Sequence, residues 1–493
     1  LRRRLPTACS PCSNLSLPKR CPRTLSARWS ILPRTIGQSW WFQRENVDKY
    51  TGTHVDRYRV TRNAYPLSRL IQPSSLNLSS RFPALASRDF QLFLAGQFLS
   101  VIGTWMHNTA QPYLAYRISG RPFDLGLIGF ATTLPTLLLA LPAGVFIEHW
   151  DKRKTVIILQ SIMSLQAFGL AALTFSGQIQ IWHITLLAFV FGTASAIEIT
   201  ARQAMLIELA GREALPSAIA LQTTAFNLGR ILGPVLAAPL LASGGEGTVF
   251  LVNGVSFLFV IGGLLVARTP FQVPRVTVPF KWMLLNLRSE FSEGLGFIRG
   301  NSLIRTVILM ATLVGLFGLP LLQQIPALAR DVLQTAQDTE AIVATRTGQV
   351  YAMQGVGALA AAFFAAYFSR NPRKGFILSV GQSVFIAALF AMAFTSNLTL
   401  ALILMALIGY GSVTQLVTMN TIIQMGIPDG LRGRVFAVYL WALQGVAPFG
   451  SLLIGGIAQG WGVPSALLLG GLVMLVTIGG LHLANPEVRR ATA

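Results

Sequence analysis

From Phe90 onward the chain alternates between long apolar runs and short polar breaks. Each run is about 20 residues, the length a helix needs to cross the hydrocarbon of a bilayer. In lipid every backbone amide must be bonded internally, which leaves helices or a closed barrel. Strict two-residue alternation is missing, so the barrel is set aside. The pattern predicts spanning helices over 90–116, 123–147, 154–176, 180–206, 214–243, 247–267, 302–328, 347–369, 375–395, 398–425, 431–459 and 463–484. One polar stretch, 268–301, is long. It holds Pro270, Pro274 and Pro279, then a segment over 284–299 with Leu284, Leu287, Phe291, Leu295 and Ile298 near one face. Arg288, Glu290, Glu293 and Arg299 fall mostly away from that face, and such a helix is expected to lie on a membrane surface.

The expected fold class is therefore an all-α integral membrane protein, twelve transmembrane helices in two six-helix halves. The halves are 87–267 and 302–486, joined by the cytoplasmic linker 268–301, with tails at 1–86 and 487–493. An internal repeat supports the division. Thr200-Ala-Arg-Gln-Ala204 near the end of the fourth run corresponds in position to Thr418-Met-Asn-Thr-Ile422 in the tenth. The turn Asp151-Lys-Arg-Lys154 corresponds at a similar offset to Asn371-Pro-Arg-Lys374. Loop charge sets the orientation. Arg153, Lys154, Arg212, Arg373, Lys374, Arg432, Arg434, Arg489 and Arg490 share one side, whereas the loops after Ser176 and Thr395 and around Trp461 carry no basic residue. The positive-inside rule then puts both termini in the cytoplasm of a multi-pass protein of the plasma (inner) membrane.

Composition agrees: 53% of the 493 residues are hydrophobic and 12% charged, where soluble domains carry about 25% charged residues. A net charge of +21 could suggest nucleic acid. Its distribution excludes that, because many of the basic residues sit in the tail before Asp89 and most others in short loops between apolar runs. The tail is rich in Arg, Ser and Pro, and is expected to be disordered or an over-extended gene start, with an organellar transit peptide as the alternative. The three cysteines, Cys9, Cys12 and Cys21, lie there without a nearby His, an incomplete set for structural zinc, so no metal is expected. No cofactor is expected either. There is no phosphate-binding loop of the ATPase type, so ATP is not expected to drive the chain directly.

The turn Gly144-Val-Phe-Ile-Glu-His-Trp-Asp-Lys-Arg-Lys154 resembles the loop motif of the major facilitator superfamily, Gly-x-x-x-Asp-Arg-x-Gly-Arg-Arg. Gly144, Glu148 and the basic trio Lys152, Arg153 and Lys154 match by type; His149 and Asp151 depart from it. Within that superfamily the chain is most similar to the enterobactin-exporter-like, or transmembrane secretion effector, branch. Arg202-Gln-Ala204, Leu215-Pro-Ser-Ala-Ile-Ala-Leu-Gln222, Phe226-Asn-Leu-Gly-Arg-Ile-Leu-Gly-Pro234 and Pro428-Asp-Gly-Leu-Arg-Gly-Arg434 carry this similarity. The resemblance covers about 89–486. It implies a monomeric secondary transporter in the lipid bilayer that moves a small molecule, exporting it by alternating access and proton antiport. It also implies that Glu148 docks on the positive N-terminal end of the eleventh span, after Arg434, and helps hold one state.

Several residues stand out by cost or position. Gly229-x-x-x-Gly233-Pro234 resembles an antiporter signature; the two glycines allow close helix approach, and the proline removes a backbone bond. Arg230 beside it costs roughly 2.5–3.5 kcal/mol at a helix centre and is expected to meet a partner such as Asn227 or a watery cavity. Glu198 and Arg202 share a helix face and are candidates for coupling, or else form a structural ion pair. By the resemblance, spans one, four, seven and ten line the cavity, which makes His107, Gln111, Gln324 and Asn420 cavity candidates, with Trp105, Met106, Phe317, Tyr410 and Met419 as apolar surface. No acid–base or metal constellation is visible among the His positions, so an enzyme is not expected. The other readings of the same fold are an importer or facilitator, or a non-transporting scaffold or sensor.

Overall fold

The computed structural model describes residues 82–269, 292–368 and 371–491. The readings of 1–81 as a tail and of 284–291 as the first part of the amphipathic helix fall outside these residues. Among those described there is helix and no strand.

Five helices precede the linker: α1 (Arg88–Ser119), α2 (Pro122–His149), α3 (Lys152–Phe175), α4 (Ile181–Ala210) and the 52-residue α5 (Leu215–Val266). The described part of the linker helix, α6, covers 292–300. It is followed by α7 (Ser302–Leu313), a π turn (Val314–Gly318), a 3-10 turn (Leu319–Gln324) and α8 (Ile325–Asp331). Then come α9 (Glu340–Tyr367), α10 (Lys374–Ala393), α11 (Leu398–Gly426), α12 (Arg432–Gln444), α13 (Ala447–Trp461) and α14 (Val463–Ala484). Ten segments are long and apolar enough to cross a membrane, judged by length and composition. α1 is not among them. His107, Asn108 and Gln111 in its middle lower its hydropathy.

α5 counts as one segment, yet the chain reverses within it. At Gly245 φ is 70° and ψ is −179°, a conformation open to glycine and strained for other residues. The packing on α1 reports the reversal. Gly229 and Gly233 lie against Val101 and Trp105, running parallel to α1, whereas Asn253 and Phe259 lie against Gly103 and Gly96, running antiparallel.

Small residues let these helices approach closely, the main packing device where lipid supplies no hydrophobic drive. A Cβ on Gly233 would stand 2.4 Å from Trp105 Cβ, and one on Gly229 2.5 Å from Val101 Cγ1. In the later helices, a Cβ on Gly357 would meet Ala406 O at 1.8 Å and one on Gly409 would meet Gln354 O at 2.0 Å. Large apolar side chains face outward, among them Leu165, Phe363 and Val476, exposed by 70%, 68% and 64%. That surface suits a bilayer. The polar ends are capped: Ser87 Oγ accepts from Phe90 N (3.3 Å), and Asn301 and Asn397 accept from Ile304 N and Leu400 N, each at 3.0 Å.

Two segments differ from expectation. Pro83–Ala86, read with the tail, forms a 3-10 turn whose Ala84 is buried. The described part of α6 packs on protein: Ile298 is buried, a Cβ on Gly294 would stand 3.1 Å from Arg434 O, and Glu293 pairs with Arg434.

Candidate functional site

The irregular stretch between α7 and α8 opens the middle of the bundle. Pro320 and Pro326 cannot donate to the helical ladder, and the π and 3-10 turns replace regular α geometry there. This brings Leu319, Leu322, Gln323 and Ile325 to the wall of a cavity of about 270 Å³. The opposite walls come from α1 (Trp105, Asn108, Gln111, Pro112), α2 (Ile128, Thr132), α5 (Arg230) and α9 (Tyr351, Gln354). Helices from both sides of the linker thus enclose one space.

Arg230 is half-buried at this wall, with its guanidinium carbon 5.6 Å from the centroid of the Trp105 ring. That is cation–π range. Its position follows from the glycine pair. Gly229 and Gly233 seat α5 on α1, and Arg230, which follows Gly229, is delivered beside Trp105. Arg230 Nε has no hydrogen-bond partner, and no ion pair is recorded for Arg230 among the described residues. Asn227, expected as its acceptor, instead donates to Thr223 O (2.9 Å).

Of the expected cavity residues, Gln111 and Trp105 line the space. His107 lies behind the wall, fully buried, stacked on Phe191 (5.4 Å) and edge-on to Phe250 (5.0 Å). Its Nε2–H donates to Gln111 Oε1 (2.9 Å), so it orients the glutamine from the rear. Gln324 is also buried outside the lining, and its Nε2 donates to Pro122 O at 3.4 Å. Asn420 is half-buried on α11 and accepts from Gln424 Nε2 at 2.5 Å, away from the cavity. Met106 and Met419 are core residues. Tyr351, Gln323 and Gln354 were not singled out for the cavity from sequence. The proline pair flanking Gln323 and the small residue Gly355, packed on the Arg230 backbone, are the signals that could have marked them.

Glu198 and Arg202 are paired at 3.0 Å, and Gln160 Nε2 on α3 also donates to Glu198 Oε1 at 3.0 Å. This cluster clasps α3 to α4 and does not line the central cavity. In the turn from α2 to α3, Asp151 caps α3: its Oδ1 accepts from Lys154 N at 3.0 Å. An acid where the superfamily motif has glycine is thus used as a helix cap. Lys152 pairs with Glu208 of α4, and Arg153 Nη2 donates to Leu265 O (3.1 Å). The surroundings of Gly144 and the side chain of Glu148 lie outside what the structure describes.

At the other end, polar bonds join helices from the two sides of the linker. Tyr116 Oη donates to Asp331 Oδ2 at 2.5 Å, and Tyr113 Oη lies 3.1 Å from Glu340 O and 3.3 Å from its Oε2. Glu340 also pairs with Arg330. Next to them Arg117 grips Glu246 through two bonds of 2.6 and 3.1 Å. In the loop after α8, the backbone N–H of Thr335 holds the Asp338 carboxyl below its usual range, with Arg346 contributing.

An all-helical bundle with an apolar outer face and a central cavity walled from both ends of the chain defines a multi-pass membrane transporter. Solved transporters share the fold. A bacterial homolog of the human lysosomal transporter Spinster, inward-facing and unoccupied, superposes with a TM-score of 0.61 at 15% identity, covering 82% of this chain and 97% of that one. The nucleoside transporter NupG gives 0.62 at 10% identity, covering 80% and 98%. The chain belongs to the transmembrane secretion effector family of the major facilitator superfamily, which it matches over residues 79–492. This is a family of transporters, not of enzymes. The multidrug efflux pump Tap of Mycolicibacterium fortuitum is 26% identical over 408 residues, 81% of this chain and 96% of Tap. The enterobactin exporter EntS of Salmonella choleraesuis is 25% identical over 418 residues, 83% and 95%. The staphyloferrin A transporter of Staphylococcus aureus is 24% identical over 399 residues, 80% and 96%.

Proposed function

We propose that this protein exports a small amphipathic molecule, a drug or siderophore-like metabolite, across the inner membrane by alternating access. One observation carries the reading: a cavity in the middle of the bundle, walled by α1, α2, α5, α9 and the broken α7–α8 stretch. Relatives named for drug efflux and enterobactin export supply the direction. In this reading twelve spans form two six-helix halves, α1–α5 and α7–α14, with both termini cytoplasmic. The functional unit is a monomer. The halves rock about the cavity, as in transporters built from repeats. The Tyr113–Glu340 and Tyr116–Asp331 bonds close the outer mouth, and Glu148 with the turn 151–154 governs the inner one.

Transport is coupled to an opposing proton. Glu198, with Arg202 and Arg230, is the candidate for that coupling, and a structural Glu198–Arg202 clasp is the competing role that its place away from the cavity favours. The test is a panel of drugs and siderophores in an efflux-deficient host. Inverted vesicles, energised by a proton gradient, then set the direction. Accumulation inside them that collapses with an uncoupler is expected. Uptake only into right-side-out vesicles would make the protein an importer. Gradient-independent equilibration would make it a facilitator. No movement of any compound would leave the scaffold or sensor reading.

A further inference from the structure

We infer that the central cavity selects cargo bearing an anionic group, such as a carboxylate, which sits on Arg230 beside the Trp105 ring. The inference rests on the proposed reading of this cavity as the cargo site and adds the charge class.

Three observations converge on it. The first is the charge balance of the wall. Arg230 brings a full positive charge, and no Asp or Glu lines the cavity. Of the buried acids elsewhere in the bundle, Glu198 is engaged with Arg202 and Glu246 with Arg117, and Asp124 at the start of α2 is outside the lining. A guanidinium at membrane depth is expensive without a counter-charge or water, and among the described residues no carboxylate lines this cavity.

The second is the sign of the unmet hydrogen bonds. Three fully buried polar atoms of the lining residues lack a protein partner: Arg230 Nε, Gln111 Nε2 and Gln354 Nε2. All three are N–H donors. Gln111 and Gln354 are each only 5% exposed, so bulk water does not satisfy them readily. The Gln111 amide is fixed in this sense by His107, which occupies its oxygen. A ligand that answers this wall supplies acceptors. A carboxylate offers two oxygens, matches the guanidinium fork, and forms charge-assisted bonds stronger than neutral ones.

The third is the remaining surface. Trp105, Pro112, Ile128, Leu319, Leu322 and the Tyr351 ring give an apolar bed next to the donors. The complement is an apolar or aromatic body ending in an anion. A permanently cationic drug would face Arg230 with like charge and no acid to offset it.

The test uses the full chain in lipid nanodiscs and two probes of nearly equal size, 2-naphthoate and its methyl ester. Binding is followed by calorimetry, and transport of each probe is followed in inverted vesicles. The wild type is expected to bind the acid about tenfold or more tighter than the ester. Arg230→Gln should remove that preference while ester binding and melting temperature stay near wild type. Arg230→Lys, which keeps the charge but loses the planar fork, should retain a reduced preference. Equal or tighter binding of the ester by the wild type overturns the inference without any variant. A preference that survives Arg230→Gln also overturns it, and leaves Arg230 as a packing partner of Trp105. The two readings fail separately. Selective binding of the acid with no transport would sink the export proposal alone. Transport of neutral and cationic compounds with no anion preference would sink this inference alone.

Discussion

Tyr116 and Asp331 stand far apart in the chain and are joined by a 2.5 Å hydrogen bond that ties the end of α1 to the end of α8. One helical turn earlier on α1, Tyr113 reaches Glu340 at the start of α9, which in turn pairs with Arg330. Two phenols from one side of the linker thus bond two acids from the other. Each bond is modest. A latch made of modest bonds can open, which a transporter requires, whereas a single very strong tie would trap one state.

Removing the latch should therefore favour opening at this end. Tyr113→Phe with Tyr116→Phe deletes two hydroxyls while keeping both rings. A typical hydrogen bond contributes about 0.5–1.5 kcal/mol net, so the double variant should shift the open population by roughly tenfold. With the tail cysteines replaced by serine, a cysteine at Gln323 in the cavity wall reports access. Labelling by an impermeant thiol reagent from the outside should rise in the double variant. Unchanged labelling would show that the latch does not hold the outer mouth.

The glycines of α5 differ in what they can tolerate. At Gly233 a Cβ would stand 2.4 Å from Trp105 Cβ, in a contact formed by two helices that cannot easily separate. Overpacking of this kind costs about 1–3 kcal/mol. Gly233→Ala should lower the melting temperature in detergent and displace Trp105 from Arg230. Gly245→Ala should also destabilise, through its φ of 70° rather than through contact, since nothing lies within 4 Å. Gly262→Ala, with open space and helical backbone, should be silent. Equal melting of all three would remove the argument that α5 is seated by its glycines.

Apolar run length was enough to place the helices because membrane thickness sets it, but α9 begins at Glu340 rather than 347, and the runs expected at 302–328 and 431–459 are each broken. The break at Gly245 was legible too, as a gap between two runs. Hydropathy does not report which way a polar side chain turns. His107, Gln324 and Asn420 carry the polarity expected of a cavity wall, yet two bond to helix neighbours and the third to the backbone of α2. Gln323 and Gln324 are adjacent in sequence, and the 3-10 turn alone decides which of them faces the cavity. The cost of Arg230 was visible in the sequence; its companion Trp105 depended on the Gly229–Gly233 register.

Asp89 gives the bundle a pH dependence near the start of α1. Its Oδ2 accepts from the Thr269 hydroxyl (2.6 Å) and from the backbone N–H of Thr269 (2.7 Å) and Arg268 (2.9 Å). The Thr269 hydroxyl bond is the largest cause holding the carboxyl below its ordinary 3.8. A lowered folded-state value means that the ionised form binds better in the native protein. Its contribution is therefore present above the ordinary value and is lost as pH falls through the lowered one. Asp89→Asn should melt lower than wild type at pH 7, and the gap should close as the pH drops below about 4. A gap that is constant with pH would assign the effect to shape rather than charge.

Glu198 is where a structural and a coupling role can be told apart. The acid is buried, paired with Arg202 and bonded by Gln160, so its charge is compensated on two sides. Removing one member of a buried pair leaves the other uncompensated and costs about 3–5 kcal/mol, while removing both is often close to neutral. Glu198→Gln alone should thus reduce the folded yield, and the added Arg202→Gln should restore it. Loss of transport in the single variant says nothing about coupling, because the fold is affected. The double variant decides. In a clasp between α3 and α4, the restored protein transports with the same dependence on the proton gradient as wild type. That is the expected outcome, given that neither residue reaches the cavity. If instead the double variant folds, binds cargo and moves it only downhill, indifferent to the gradient, Glu198 carries the proton and the pair is the coupling element.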